Sequence, residues 1–336
     1  MRRLVWGVGA LAALAALDAG LGRVLNPYLL QIVMLCGINV ILAVSLNLVN
    51  GFTGQFSIGH AGFMAVGAYG SAVFSLHVGQ RWVEALSAAQ VPPVLGQGAA
   101  LLVALLVGGA LAALAGYLVG LPSLRLRGDY LAIVTLGFGE IIRVIILNVD
   151  AVGAARGLPG IPGWASFFWV GLGVLAVVLV SRHLALSSHG RALFAIRDDE
   201  VAAEALGVDT TRYKVLAFVI GAFFAGIAGA LFAHLSSYIN PDHFGILKSL
   251  DLLIFLYVGG AHSFAGGILG AAVFTTVPEA LRLGNIESWR MVVYPLILIL
   301  AMRFRQSGIM GEHEFGFLIP WRHTAMRLGR GGSGTA

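Results

Sequence analysis

The sequence has 336 residues, of which 58% are hydrophobic and only 11% are charged, and its mean hydropathy is +0.89. Soluble domains carry about a quarter charged residues, so this composition excludes a water-soluble globular protein. The net charge of +5 comes from Lys and Arg residues scattered between apolar stretches, which argues against a nucleic-acid-binding surface.

Apolar stretches recur along the chain, and most have the length that crosses a bilayer. They predict an all-α, polytopic membrane protein with about ten transmembrane segments. The predicted segments lie at residues 4–22, 28–49, 57–78, 95–121, 130–149, 164–181, 214–235, 248–259, 264–283 and 290–304. A transmembrane domain then covers residues 1–310, and composition predicts a partly disordered cytoplasmic tail at 311–336. The 46 glycines suit a bundle whose helix backbones approach closely.

The first apolar stretch, Leu4 to Leu17, has two interpretations. It follows two arginines and is short for a span, and both features are typical of a cleavable secretory signal. An uncleaved anchor is favoured, because a membrane protein needs no signal removal and Leu17 is large for a cleavage-site residue.

The distribution of Lys and Arg predicts the orientation of the chain. Placing the N-terminus inside leaves most of these residues in cytoplasmic segments, as the positive-inside rule requires. The cytoplasmic set is Arg2, Arg3, Arg125, Arg127, Arg182, Arg191, Arg197, Arg212, Lys214, Arg303, Arg305, Arg322, Arg327 and Arg330. The external set is Arg23, Arg81, Arg156, Lys248, Arg282 and Arg290. Both termini are therefore predicted to be cytoplasmic.

A polar, glycine-rich segment interrupts the apolar pattern between the second and third predicted spans. Its candidate translocation-path residues are Asn47, Asn50, Gln55, Ser57 and His60. Non-helical backbone at membrane depth is tolerated where it is buried in protein or lines a wet cavity, and a transport path is such a cavity. Two alternatives remain: Ser57 caps the next helix, or His60 is a hydrogen-bonded packing residue.

A related pattern returns near the C-terminus, where residues 248–259 and 264–283 are weak spans that suggest a broken or re-entrant pair. Asn26-Pro27 precedes an apolar helix and then Gly51, Gly54 and Gly59, and Asn240-Pro241 precedes an apolar helix and then Gly260, Gly266, Gly267 and Gly270. Internal duplication is common in transporters. Chance is the alternative, because Gly and Pro are frequent in membrane helices.

Two charged residues, Glu140 and Arg143, lie within a predicted span. Their spacing places them on one helix face, where they can form an ion pair. Charges at membrane depth mark either a transport path or a structural salt bridge that fixes helix register, and both interpretations stay open.

The longest predicted cytoplasmic loop, residues 182–214, contains a short predicted helix. Asp198 is the expected N-cap, Asp199 and Glu200 suit the positive end of the helix dipole, and Gly207 is the expected stop. A helix this short is unstable alone, so we expect it to dock against a partner. The alternative is a connector that packs on its own bundle.

The two lysines, Lys214 and Lys248, follow no phosphate-loop glycine pattern, so this chain does not hydrolyse ATP by that route. Its energy must come from a partner or from an ion gradient, unless solute simply moves downhill. The single cysteine, Cys36, excludes an intrachain disulfide.

The loop resembles the EAA-type coupling loop of ABC importer permeases. Aligned on Gly207, Ala202 and Ala203 occupy the two alanine places, while Val201 stands in the glutamate place with Glu200 one residue early. The wider run from His189 through Arg197-Asp198-Asp199-Glu200 to Gly229 is similar to the LivM family of branched-chain amino acid permeases. Residues 45–63, 130–143 and 157–162 resemble the same family, so the likeness covers roughly residues 26–310.

This resemblance implies a bacterial inner-membrane permease that is not itself an enzyme and carries no cofactor. It implies four kinds of partner besides the lipid bilayer: a second, LivH-like permease, two LivG- and LivF-like ATPase subunits that use ATP, and a periplasmic substrate-binding protein. The implied coupling contacts are Arg191, Arg197, Asp198, Asp199, Glu200 and Glu204, with Ala202, Ala203 and Gly207 allowing close approach.

Three other functions are alternatives to a branched-chain amino acid permease. An ion-coupled secondary transporter would use Glu140 to bind a proton or sodium ion. A permease for urea, short amides or aromatic acids would belong to the same family as the branched-chain permeases. An intramembrane hydrolase is disfavoured, because no catalytic constellation appears within the spans.

Overall fold

The computed structural model describes residues 2–90, 92–124, 128–261, 263–283, 296, 299, 303 and 308–311. Its α-helices are α1 (Arg2–Val24), α2 (Pro27–Asn47), α3 (His60–Phe74), α4 (Gln80–Ala88), α5 (Pro93–Ser123), α6 (Asp129–Asn148), α7 (Phe167–Leu186), α8 (Ser188–Asp198), α9 (Glu200–Ala205), α10 (Thr210–Ser236), α11 (Ile246–Gly259) and α12 (Phe264–Leu283). Two short antiparallel strands, β1 (Leu158–Pro159) and β2 (Tyr238–Ile239), join the segments after α6 and α10.

Short π-helices and 3-10 helices lie between some of these α-helices. The α2 helix continues as a π-helix over Leu48–Phe52, and a π-helix at Ser75–Gly79 connects α3 to α4. Short 3-10 helices occur at Asp150–Val152, Ala154–Arg156 and Pro241–Phe244.

Within the described residues, six helical stretches are long and apolar enough to cross a membrane. They are Pro27–Phe52, His60–Ala88, Pro93–Ser123, Tyr130–Asn148, Phe167–Leu186 and Thr210–Ser236. These stretches match six predicted segments and confirm a multi-pass helical membrane protein.

The other four predicted segments are shorter apolar helices or lie largely outside the described residues. The apolar parts of α1 and α12 are shorter, at Ala12–Gly22 and Phe264–Ala280. The α11 helix has 14 residues and rises about 21 Å, less than the roughly 30 Å of a bilayer core. The segment 290–304 and the tail 311–336 lie largely outside the described residues, so the count of ten stays a prediction.

The centre of the bundle is built from α3, α5 and α10, which pack closely through small residues. A Cβ atom on Gly67 would collide with the backbone of Gly226, and one on Gly108 would lie 2.6 Å from the carbonyl oxygen of Gly67. Gly229 similarly lies against the carbonyl oxygen of Met64. Such contacts allow helix backbones to approach in lipid, as the abundance of glycine predicted.

Two interrupted helices have the same order of elements. Asn26 precedes α2 and Asn240 precedes the 3-10 turn before α11, and each side chain accepts a hydrogen bond from the backbone N–H two residues later. The π-helix Leu48–Phe52 and the non-helical residues 53–59 together form the first break, which separates α2 from α3. A second break lies between α11 and α12 and includes Gly260, Ala261 and Ser263.

Candidate translocation and coupling site

The first break is closed by a pair of hydrogen bonds between Asn50 and Ser57. Asn50 Nδ2 donates to the Ser57 carbonyl oxygen, and the Ser57 N–H donates to Asn50 Oδ1, both at 3.2 Å. The expectation that Ser57 caps the next helix is wrong, because α3 begins at His60 with Gly59 in the N-cap position. Ser57 instead fixes the loop that precedes that helix.

The first break is also anchored to α6. The N–H of Ile58 donates to Thr135 Oγ1 at 3.1 Å, and a Cβ on Gly59 would collide with the Thr135 carbonyl oxygen. Thr135 is buried, yet the sequence analysis missed it because a single threonine in an apolar run gives no signal.

The two breaks touch each other. Asn47 Nδ2 donates to the Ser263 carbonyl oxygen at 2.9 Å, and the rings of Phe52 and Phe264 meet with centroids 4.5 Å apart. A Cβ on Gly51 would collide with the carbonyl oxygen of Ala261. A movement of either interrupted helix therefore displaces residues of the other.

His60 is buried and hydrogen-bonded. Its Nε2 lies 2.8 Å from Ser45 Oγ, and that hydroxyl donates to the Leu42 carbonyl oxygen at 2.9 Å. Since a serine hydroxyl carries one proton, His60 Nε2 is then the donor to Ser45 Oγ. This geometry favours the packing interpretation of His60.

The predicted cytoplasmic loop forms two helices, α8 and α9. The predicted N-cap at Asp198 is wrong by one residue, because α8 runs through Asp198 and Asp199 caps α9. Asp199 Oδ1 accepts the Ala202 N–H at 3.0 Å. Gly207 adopts a left-handed conformation, with φ of 83°, just after α9, which is the helix-stopping conformation that glycine favours.

One face of this helix pair is directed toward the bundle. Arg197 donates from Nε and Nη2 to Asp198 Oδ1 at 2.9 and 2.6 Å, and its guanidinium lies 5.4 Å from the ring centroid of Phe194. Phe194 in turn packs on Phe52 of the π-helix, with centroids 5.1 Å apart. A Cβ on Gly54 would lie 3.0 Å from Arg197 Cγ, so α8 rests directly on the first break.

Other loop residues predicted to contact a partner are held by the chain itself. Glu200 pairs with Lys214 at 2.7 Å, and Glu204 Oε1 accepts a hydrogen bond from Thr210 Oγ1 at 2.9 Å. Ala203 is 2% exposed and lies against the chain's own residues, and its role in the approach of a partner stays a prediction.

The opposite face of the pair is open and carries Arg191, Asp198, Ala202 and Gly207. Two apolar side chains on α9 and just after it are also exposed, Val201 at 63% and Leu206 at 85%. In the sequence, Val201 is only a departure from a motif, and no local pattern singles out Leu206.

A 370 Å³ pocket lies between the first break and α8 and α9, which we call the coupling helices. Gln55 lines it and is 5% exposed, and neither Oε1 nor Nε2 of Gln55 has a hydrogen-bond partner in the described part of the chain. The buried Nη1 of Arg197 is likewise unpaired there. Predicted path and coupling residues thus share one polar pocket.

Glu140 and Arg143 form the ion pair that their spacing predicted, with Arg143 Nε 2.9 Å from Glu140 Oε2. Arg143 Nη1 also pairs with Asp242 Oδ1 at 2.9 Å. Sequence reasoning missed Asp242, which lies 99 residues further along the chain. The three charges connect α6 to the 3-10 helix that precedes α11.

A second cavity, of 910 Å³, lies between α2, α11 and α12. Lys248 Nζ donates to Asn39 Oδ1 at 2.9 Å, and Asn39 Nδ2 donates to Thr275 Oγ1 at 2.9 Å. The charge distribution predicts Lys248 on the external side, and no local pattern in the sequence singles out Asn39 or Thr275. These three polar groups pair with one another in a cavity that Asp251 and Glu279 also line.

Comparison with known proteins adds to this geometry. Residues 28–302 match the family described as the permease component of branched-chain amino acid transport systems. The chain is 33% identical to the high-affinity branched-chain amino acid transport permease protein LivM of Salmonella typhimurium, over 81% of this chain and 68% of LivM. LivM of Escherichia coli is also 33% identical, over 83% of this chain and 69% of its own length.

A shorter match is with the permease protein LivH of the Salmonella typhimurium branched-chain amino acid transport system, which is 32% identical over 42% of this chain and 45% of LivH. No solved structure matches the chain. The matched family region includes both breaks, the coupling helices and α12.

Proposed function

Because this chain belongs to the family of branched-chain amino acid transport permease components, we propose that it is one of two transmembrane subunits of an ABC importer for branched-chain amino acids. Family membership confirms the resemblance to LivM. A permease component is a transport subunit rather than an enzyme, and this one crosses the membrane several times.

The contact between the coupling helices and the two breaks carries the proposal. Separate ATPase subunits bind ATP, close, and push α8 and α9 from the cytoplasm. The push reaches the first break through Arg197 against Gly54 and through Phe194 against Phe52. It then reaches the start of α12, directly after the second break, through Phe52 against Phe264, so both interrupted helices move together.

The exposed face of α9 is the proposed docking surface for an ATPase subunit. Val201 and Leu206 supply an apolar contact, and Ala202 and Gly207 leave room for a partner's backbone. Arg191 and Asp198 form a charged edge around it. Buried apolar anchors within a polar rim are typical of protein interfaces.

The proposed assembly contains this chain, a LivH-like permease, two ATPase subunits and a periplasmic binding protein. Both termini and the coupling helices face the cytoplasm. Together with α1, α11, α12 and residues 290–304, the six long stretches give about ten membrane segments. The binding protein selects the substrate, so a urea or short-amide permease of the same family is the alternative that its bound ligand would identify.

An ion-coupled transporter is the second function to be tested. Glu140 would be its ion-binding residue, but its pairing with Arg143 supports a structural role. In liposomes containing the two permease subunits alone, we expect no leucine accumulation under a proton or sodium gradient. Adding the ATPase subunits, ATP and the binding protein should start uptake. Accumulation driven by the gradient alone would contradict the proposal.

A further inference from the structure

We propose that the 370 Å³ pocket between the first break and the coupling helices binds a zwitterionic α-amino acid from the cytoplasmic side, so that accumulated substrate slows its own import. The inference rests on the proposed function, because the pocket faces the cytoplasm only if the coupling helices do. Three properties of the pocket carry it.

The first property is the buried amide of Gln55. The side chain is 5% exposed, lines the pocket, and makes no hydrogen bond within the described residues through either Oε1 or Nε2. Buried polar side chains nearly always have partners, because they give up hydrogen bonds to water on burial. An amide offers both a donor and an acceptor, which suits a ligand with both an ammonium and a carboxylate group.

The second property is the pairing of charges around the pocket. Arg197 supplies the positive charge, because its Nη1 is buried and unpaired in the described part of the chain, whereas Lys214 pairs with Glu200. Guanidinium groups bind carboxylates through strong charge-assisted hydrogen bonds. Asp198 pairs with Arg197 and Glu200 with Lys214, so Asp199, which lines the same pocket, supplies the negative charge for an ammonium group. A ligand carrying both charges fits this lining better than a simple anion or cation.

The third property is size and apolar contact. The volume lies near the lower end of the roughly 300–1,000 Å³ range of small-molecule sites, which suits one small amino acid. Phe56, Leu131 and Ile196 line the pocket and offer apolar contact for an aliphatic side chain. The ligand class is therefore an α-amino acid with a small aliphatic side chain, and leucine is the member that the proposed function supplies.

Occupation of the pocket would restrain the coupling movement. Gln55 belongs to the first break, whereas Arg197 and Asp199 belong to the coupling helices, so one ligand bridges the two parts. A ligand that binds one arrangement more tightly than another shifts the population toward it. When the cytoplasm is rich in substrate, the bridged arrangement accumulates and ATP-driven import slows.

The direct test is equilibrium binding of radiolabelled L-leucine to the purified complete transporter without its binding protein. We expect saturable binding, with 3-methylbutylamine and 4-methylpentanoate binding about tenfold more weakly or worse, because each lacks one charged group. Gln55→Leu should raise the Kd for leucine about tenfold. Thr275→Val is the matched control, since it removes a polar group from the 910 Å³ cavity.

A second variant guards against misfolding of Gln55→Leu. Arg197→Lys keeps the positive charge and loses the planar guanidinium, so it should raise the Kd as well. Absence of saturable binding would overturn the inference. Loss of binding in Thr275→Val with normal binding in Gln55→Leu would also overturn it, because the ligand would then occupy the other cavity.

The functional test uses the complete transporter in liposomes loaded with increasing unlabelled leucine. The initial rate of ATP-driven uptake should fall as internal leucine rises, and it should fall much less in Gln55→Leu. Each variant is compared with its own rate without internal leucine, so a change in basal uptake does not matter. Normal uptake that internal leucine never slows would overturn this inference alone, whereas no ATP-driven uptake at all would overturn the proposed function.

Discussion

Gly51 occupies the tightest point between the two breaks. A Cβ there would overlap the Ala261 carbonyl oxygen and the side-chain oxygen of Asn47. Both neighbours belong to segments whose positions are fixed by hydrogen bonds, including the one from Asn47 to Ser263. The breaks therefore depend on the absence of a side chain at this residue.

Gly51→Ala is expected to lower the free energy of unfolding by about 1–3 kcal/mol, because the added methyl group overpacks a closed contact. ATP-driven uptake should fall with it. The control is Gly137→Ala on α6, where no described atom lies within 4 Å of the added Cβ. Thermal unfolding of the purified variants measures the change in stability, and an assay in liposomes measures uptake. Equal stability of the two variants would contradict the tight contact.

The Glu140, Arg143 and Asp242 cluster illustrates what residue spacing can predict. The pair on α6 follows from positions three apart on one helix. The third charge could not be predicted, because no local pattern relates residues 99 positions apart. With Asp242 included, the cluster connects α6 to the 3-10 helix before α11, which supports a structural role over ion binding.

Glu140→Gln is expected to leave ATP-driven uptake nearly unchanged, since glutamine can still accept a hydrogen bond from Arg143. The loss in stability should be at most about 1 kcal/mol, because the three side chains are partly exposed and solvent screens them. Uptake rates at several proton gradients provide the measurement. A large loss of uptake that depends on the gradient would favour the ion-coupled alternative.

At the scale of elements, α8 and α9 have one face on the bundle and one face in solvent. The sequence predicted a helix that needs a docking partner and also its alternative, a connector packed on its own bundle. Arg197, Ala203 and Glu200 fit the second description, while Val201 and Leu206 fit the first. Sequence could not separate them, because a helix this short has too few residues to define an apolar face.

Gly207→Leu is expected to reduce ATP-driven uptake strongly while membrane insertion stays normal, because a side chain would occupy the docking surface. Its backbone strain should be about 1–2 kcal/mol, as for any left-handed non-glycine residue. Gly160→Leu is the matched control, since Gly160 has φ of 80° and no described atom within 4 Å of an added Cβ. If both variants lose uptake equally, strain and not docking is responsible.

Leu206→Ser is expected to weaken the association of the ATPase subunits about tenfold, because an apolar anchor is lost from the interface. Folding should be unaffected, since the side chain is 85% exposed. The control is Val24→Ser, because Val24 is 83% exposed and lies on the predicted external side of the membrane. Co-purification of the subunits at graded concentrations measures the affinity, and identical affinities would exclude Leu206 from the interface.

At the scale of the whole molecule, composition and apolar run length were sufficient to predict a multi-pass helical bundle. Six long helices match predicted segments because about 20 apolar residues have few alternatives to crossing a bilayer. The contact between the breaks was not predictable, because Asn47 and Ser263 are 216 residues apart. The shared pocket at Gln55 and Arg197 was hidden for the same reason, although each residue was singled out separately.

The central claim is that the coupling helices face the cytoplasm and receive mechanical work from ATPase subunits. Its most direct test places one cysteine on the exposed surface of α9, as Ala205→Cys in a Cys36→Ala background, and labels it with a membrane-impermeant maleimide. We predict labelling in inside-out vesicles, protection when the ATPase subunits are bound, and no labelling in right-side-out vesicles. Labelling from the periplasmic side, or labelling that bound ATPase subunits do not change, would contradict the claim.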